Sequence, residues 1–264
     1  MKKYKLYQVD AFTEKLFGGN PAAVCPLDEW LDDDLLQKIA MENNLAETAF
    51  YVKQSDGYEI RWFTPSVEVD LCGHATLAAA YVIFHYEDYE GDSIRFYSLR
   101  SGILAVNRKY DELILDFPVD EFRSTSVTKE IENCFDKKPV EAYKGKSDYM
   151  LVYEKESDII EIRPNFEFIA KLQARGVIIT AKGETVDFVS RFFAPQSGVI
   201  EDPVTGSAHT TLTPYWAGKL NKTELTAMQL SNRKGHLRCK LSDKRVEIGG
   251  RAQLYFKGDI YIQD

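Results

Sequence analysis

The chain has 264 residues, 44% of them hydrophobic and 28% charged, which is the composition of a folded globular protein and excludes a disordered or fibrous one. Its 33 basic and 41 acidic side chains give a net charge of −8. This argues against a general nucleic-acid or anionic-membrane binder, because no surplus of Lys and Arg is available to neutralise phosphates; any anionic ligand has to be held locally.

In chain order, residues 4–12 alternate polar and apolar side chains and predict a first strand, where a signal peptide would need a continuous apolar stretch. A helix is expected over 31–41, after Pro26-Leu27-Asp28, and a strand over 58–63. The longest apolar run, 77–84, is dense enough to be a helix packed inside its half and falls far short of the roughly 20 residues that span a bilayer. Strands are expected at 103–106, 113–117, 177–180 and 245–248, with helices at 166–172 and around 212–216. The four cysteines, Cys25, Cys72, Cys134 and Cys239, form no CxxC pair, so a zinc ribbon, a redox motif and a disulfide framework are all disfavoured. A cytoplasmic protein is expected. Residues 124–157 carry no functional signal.

An internal repeat organises these elements. Arg61-Trp62-Phe63-Thr64-Pro65 is answered by Arg191-Phe192-Phe193-Ala194-Pro195, an offset of 130, and Gly73-His74-Ala75 by Gly206-Ser207-Ala208, an offset of 133. Half the chain is 132 residues. The expected fold class is therefore α+β in two similar, strand-rich lobes, residues 1–118 and 119–264, with a terminal segment that is able to cross back to the first lobe.

Each half has a glycine-led helix start. Unpaired N–H groups and the partial positive charge of such a start favour an anion, and a glycine lets a ligand approach the backbone closely. If the halves are related by a pseudo-two-fold axis, both starts can converge on one cleft, where a carboxylate is the natural guest. The plainer alternative is that Ser207 caps its helix and Gly73 turns the chain. Pro214, eight residues past Gly206, is expected to kink the second helix. Glu47, in Asn44-Leu45-Ala46-Glu47-Thr48-Ala49-Phe50, has small and apolar neighbours; burial would raise its pKa and equip it to take and return a proton, whereas an exposed site would make it an ordinary solvated acid. His74 is a candidate to donate to a substrate or share the proton, and equally a polar residue satisfied at a helix start. Asp202, in Glu201-Asp202-Pro203, either orients His74, binds a substrate hydroxyl or forms a turn.

At these residues the chain resembles the PhzF-like phenazine-biosynthesis family, which shares the diaminopimelate epimerase-like fold. The matching motifs are FGGNPAAV from Phe17, NLAETAF around Glu47, FTPSVEVDLCGHAT from Phe63 to Thr76, FFAPQSGVIEDPVTGSAH from Phe192 to His209, and Gly249-Gly250-Arg251-Ala252. Between residues 90 and 188 the likeness is one of general pattern only. The resemblance implies two lobes, each a strand-rich barrel around a central helix, with the site in the cleft between them. It further implies that Glu47 is the acid/base group of an isomerase requiring no metal, flavin or nicotinamide. His74, Asp202 and Ser207 match supporting polar positions; Gly73 and Gly206 match the backbone that holds a carboxylate; Asn20 is a further substrate contact. A homodimer acting on a small-molecule carboxylate is expected.

Two-base epimerases of this fold use a cysteine from each half. Here Cys72 precedes Gly73, but Thr205 precedes Gly206, which disfavours two-thiol racemisation and favours isomerisation by Glu47. An epimerase and a non-catalytic binding protein on the same fold remain the alternatives, and the substrate and pathway are not legible. His85, His209 and His236 receive no catalytic role, although His209 lies one turn into the second helix, where it is placed to face the cleft.

Overall fold

The computed structural model describes residues 1–263, which divide into two units: Met1–Asp116 with the C-terminal segment from Gly249, and Phe117–Ile248. The first unit contains β1 (Lys2–Ala11), β2 (Asn20–Leu27), α1 (Asp33–Asn43), β3 (Glu47–Gln54), β4 (Gly57–Phe63), the two-residue β5 (Glu68–Val69), α2 (Gly73–Tyr86), β6 (Ser93–Ser98), β7 (Gly102–Lys109) and β8 (Glu112–Pro118). The C-terminal strand, Ala252–Ile262, ladders antiparallel with β1 along its length. The remaining ladders run β1–β2 antiparallel, β2–β3 parallel, β3–β4 antiparallel, β4–β6 parallel, then β6–β7 and β7–β8 antiparallel.

A helix that is apolar on every side has to be enclosed. The α2 helix is such a helix: Ala75, Leu77, Ala78, Ala79, Ala80, Val82 and Ile83 cover its whole circumference and are all inaccessible to solvent. It packs against β1, β2, β3, β7 and the C-terminal strand, so the sheet curves round it as a barrel. Its alanines let the strands approach closely.

The second unit contains β9 (Arg123–Thr125), α3 (Lys129–Glu132), β10 (Glu141–Lys144), β11 (Tyr149–Val152), α4 (Glu156–Glu161), α5 (Phe166–Lys171), β12 (Val177–Lys182), β13 (Phe188–Ala194), β14 (Val199–Asp202), α6 (His209–Leu220), β15 (Glu224–Gln229), β16 (Gly235–Ser242) and β17 (Arg245–Gly250). The chain β10–β11–β12–β13–β15–β16 is antiparallel, parallel, antiparallel, parallel, antiparallel. This is the sequence of pairings found for β1–β2–β3–β4–β6–β7, with β14 on β13 where the first unit has β5 on β4. The repeat is thus a duplicated topology. Residues 124–157 supply β10, β11 and an apolar cluster with α4 and α5 that includes Ile131, Phe135, Leu151, Ile159 and Ile169, which is why they read as functionally silent.

The duplication extends to side chains. Arg61 grips Glu68 through Nε and Nη2 at 2.7 and 3.0 Å, with its guanidinium 5.1 Å from the Phe63 ring; Arg191 grips Glu201 at the same 2.7 and 3.0 Å, 4.9 Å from the Phe193 ring. Each pair spans the two strands leading into its helix. The shift in repeat offset from 130 to 133 is absorbed in this stretch: seven residues separate Arg61 from Glu68, ten separate Arg191 from Glu201, and the extra three form the 3₁₀ turn Pro195–Ser197, closed by Gly198 at φ +81°.

Pro214, where the sequence predicts a kink, lies inside the α6 helix. Proline lacks the N–H that would bond the carbonyl of Thr210. That carbonyl instead accepts from the Asp120 N–H at 3.2 Å, and the Asp120 carboxylate accepts from Thr211 Oγ1 at 2.8 Å, so the α6 helix continues through the proline with the freed group satisfied. Among the described residues, no helix is long and apolar enough to cross a membrane.

Candidate active site

In the first unit the starts of β2, β3 and α2 come together. Gly19, at φ +62°, turns the chain into β2; a Cβ there would overlap the Ala11 carbonyl oxygen, so only glycine fits and Asn20 becomes the first, fully buried residue of the strand. Asn44 closes α1 in the left-handed conformation at φ 48°, ψ 36°, and Leu45-Ala46 then lead into β3, whose first residue is Glu47. The parallel ladder places Glu47 opposite Ala22 of β2. His74 is the second residue of α2 and is buried.

These three side chains meet. His74 Nε2 lies 3.2 Å from Glu47 Oε2, and His74 Nδ1 lies 3.2 Å from Asn20 Nδ2 and 3.5 Å from Cys72 Sγ. An amide nitrogen only donates, so Nδ1 accepts and the imidazole proton sits on Nε2, the nitrogen nearer Glu47, although the approach lacks the alignment of a hydrogen bond and Nε2 is buried without a hydrogen-bond partner among the described residues. Burial disfavours the charged ring and pushes the His74 pKa down to about 3, so it is a neutral donor at ordinary pH. The Glu47 side chain is only 16% exposed, and it does not point into bulk water. The geometry is that of a carboxylate beside a neutral imidazole: it can accept a proton without first displacing a counter-cation, and it can return that proton.

Glu47, Cys72 and His74 also present one oxygen, sulfur or nitrogen donor each within 4.8 Å of one another, a set that a divalent cation such as zinc accepts. In this structure the imidazole presents Nε2 to Glu47 and Nδ1 to Asn20 and Cys72.

The second unit places Asp202, Gly206 and Ser207 on one stretch between β14 and α6. Asp202 ends β14, and its Oδ2 accepts from Thr205 Oγ1 at 2.6 Å. Whereas α2 begins at Gly73, α6 begins three residues after Gly206; Gly206–Ala208 form a turn, and α6 starts without a side-chain cap, so Ser207 does not act as one. His209, expected to face a cleft, is fully buried; its Nδ1 donates to the Thr205 carbonyl at 2.8 Å, and burial lowers its pKa to about 4. The sequence marks Thr205 only as the residue standing in place of a second cysteine, and does not mark Gln229 at all. Gln229 had a readable signal, being a polar residue in phase with the inward Leu225 and Ala227 of β15.

Comparison with known proteins places this architecture. A family described as phenazine biosynthesis-like proteins, PhzC-PhzF, matches residues 9–258. An uncharacterised isomerase of Pseudomonas aeruginosa is 51% identical, covering 98% of this chain and 98% of its own. The crystal structure of a PhzF-family phenazine biosynthesis protein from Enterococcus faecalis superposes with a TM-score of 0.96 at 47% identity, covering 99% of this chain and 100% of that one. A hydroxyproline epimerase from Agrobacterium vitis, 8% identical with a TM-score of 0.63 over 99% of this chain and 93% of its own, shares the fold alone. With its duplicated barrels and its Asn20–His74–Glu47 cluster, the chain belongs to the PhzC-PhzF, phenazine biosynthesis-like family.

Proposed function

We propose that this protein is an isomerase that moves a proton between two carbons of a small, cyclic carboxylate substrate, with Glu47 as the acid/base group. The observation that carries the reading is the 3.2 Å proximity of the neutral His74 ring, through Nε2, to a largely buried Glu47 carboxylate. Glu47 takes a proton from one substrate carbon and becomes a carboxylic acid; the electron pair left behind delocalises toward the substrate carboxylate; the carboxylic acid, whose proton exchanges with solvent, then delivers a proton to a second carbon. Oxidation state and proton count are unchanged, so the chemistry calls for no redox partner. In the carbanionic state, helix-start amides near Gly73 oppose the developing charge on the carboxylate. Asn20 fixes the His74 tautomer, and Asp202, Gly206 and Ser207 are assigned to substrate holding on the strength of the family motif. The relatives named as isomerases support this reaction class. A homodimer is part of the proposal, to be checked by light scattering.

A second reading has one observation in its favour: Cys72 Sγ stands 3.5 Å from His74 Nδ1, so a thiol adjoins the same imidazole. In a two-base epimerase it would act on one face of the carbon, yet its counterpart before Gly206 is Thr205, whose hydroxyl already donates to Asp202.

The test is incubation of cyclic amino carboxylates with the protein in heavy water. Deuterium incorporation that is lost in Glu47→Gln and retained in Cys72→Ala is the expected result. Exchange that is instead lost in Cys72→Ala would move the assignment to the epimerase, and binding with no exchange by the unaltered protein would reduce the site to a binding module.

A further inference from the structure

Every polar atom of Thr205 that the fold leaves available is used. Its N–H donates to Gln229 Oε1 at 2.8 Å, its carbonyl accepts from His209 Nδ1 at 2.8 Å, and its hydroxyl donates to Asp202 Oδ2 at 2.6 Å while accepting from Gln229 Nε2 at 3.2 Å. The other Gln229 Nε2 hydrogen goes to the Asp202 carbonyl at 2.8 Å. Gln229 is fully buried at the end of β15, where burying an amide is costly unless it is satisfied. These three Gln229 side-chain hydrogen bonds all end on Asp202 or Thr205, so what the buried amide organises is that one short stretch.

Pro203 removes a backbone N–H from the middle of the stretch, so one fewer backbone donor is available to hold it. The strand registers show that it is particular to this half. β4 pairs with β6 with Tyr58 opposite Phe96, and β13 pairs with β15 with Phe188 opposite Ala227; two residues further on, the counterpart of Gln229 is Ser98, and the counterpart of Thr205 is Cys72. Ser98 has no arm with which to hold a neighbouring loop through both a donor and an acceptor.

We propose that Gln229 and His209 are positioning residues that act through Thr205, Gln229 setting the orientation of the Asp202 carboxylate and His209 setting the direction of the Gly206 N–H. The second effect follows from peptide planarity: the Thr205 C=O and the Gly206 N–H share one rigid plane and point in opposite directions, so a hydrogen bond that fixes the carbonyl aims the amide. The inference rests on the reading in which Asp202 and Gly206 hold the substrate.

The experiment compares the unaltered protein with Gln229→Leu, Gln229→Glu and Thr205→Val. The first readout needs no substrate: amide hydrogen exchange of residues 204–208. Gln229→Leu removes three hydrogen bonds, each worth about fivefold, so exchange there is expected to rise about a hundredfold while the amides of β12 and β13 are unchanged. Thr205→Val, which keeps the side-chain shape, is expected to loosen the Asp202 turn alone. The second readout uses whichever cyclic amino carboxylate exchanges deuterium with the unaltered protein. KM is expected to rise about tenfold or more in Gln229→Leu, with a smaller change in kcat. In Gln229→Glu the new side chain can donate to Thr205 Oγ1 or the Asp202 carbonyl only when protonated, so KM should recover as pH falls, a signature that an inert buried amide would not produce.

Unchanged exchange at 204–208 in Gln229→Leu overturns the proposal, as does a Gln229→Glu enzyme whose KM follows the same pH profile as the unaltered protein. If Gln229→Leu fails to fold, Thr205→Val and Gln229→Glu decide the question. Failure of the unaltered protein to exchange any carboxylate would defeat the proposed function, while the exchange of residues 204–208 would still show whether Gln229 anchors this turn.

Discussion

Two fully enclosed imidazoles should make this protein acid-sensitive by an amount that can be worked out in advance. His74 and His209 have pKa values lowered by burial to about 3 and about 4, against an unfolded value of 6.5. Above pH 6.5 both are neutral in either state and contribute nothing to the pH dependence. As pH falls below 6.5 the unfolded chain binds a proton at each site and the folded chain does not, so stability is lost progressively until the folded pKa is reached. At pH 5 both folded values still lie below the solution pH, and the penalty depends almost entirely on the unfolded histidine: about 2 kcal/mol for each ring, from 1.36 kcal/mol per unit over about 1.5 units. The perturbation is His209→Asn, which removes the titration while its amide nitrogen can replace Nδ1 as donor to the Thr205 carbonyl. Urea unfolding at pH 7.5 and pH 5.0 gives the stability change with pH for each protein, and subtracting one from the other cancels the carboxylates common to both. The variant should lose about 2 kcal/mol less than the unaltered protein over this interval. Equal losses in the two proteins would show that His209 titrates alike in the folded and unfolded states, and would refute the burial argument.

Three further outcomes follow from the same geometry. Asn20→Asp, when ionised, places an acceptor against His74 Nδ1, draws the proton to that nitrogen and turns a lone pair toward Glu47; deuterium exchange should slow by about a hundredfold or more, as read by single-turnover exchange, and the buried carboxylate should also lower thermal stability. Gly19→Ala combines a left-handed φ with an overlap on the Ala11 carbonyl, so calorimetry should show destabilisation of at least about 2 kcal/mol. Glu201→Gln leaves Arg191 with a neutral partner beside the Phe193 ring and should lower stability by about 1 to 3 kcal/mol, with Glu68→Gln doing the same in the first unit; the two changes should add in a double-mutant cycle.

Much of the architecture was legible in the chain because it is written in local terms. The RWFTP and RFFAP strings mark the repeat, and the apolar run at 77–84 is dense enough to be a helix packed inside its half, as α2 is. Glu47 stood out as an acid among small and apolar neighbours, and the structure finds it largely buried at the first residue of β3. Other features depended on partners distant in sequence. Pro214 leaves the Thr210 carbonyl without its helical donor, and only the fold shows that Asp120, about ninety residues earlier, supplies the N–H that takes it up. The role of Asn20 emerges only when β2 and α2 start at the same end of their unit, 54 residues apart along the chain.

Sequence alone determined which residue types recur, at what offsets and with what periodicity, because strand alternation and helix apolarity are properties of neighbours in the chain. Tertiary structure alone decided which nitrogen of His74 carries its proton, that Thr205 is committed to Asp202 and that Gln229 holds both, because a hydrogen bond's direction depends on the positions of two groups, and the fold brings those groups together from segments that share no local pattern.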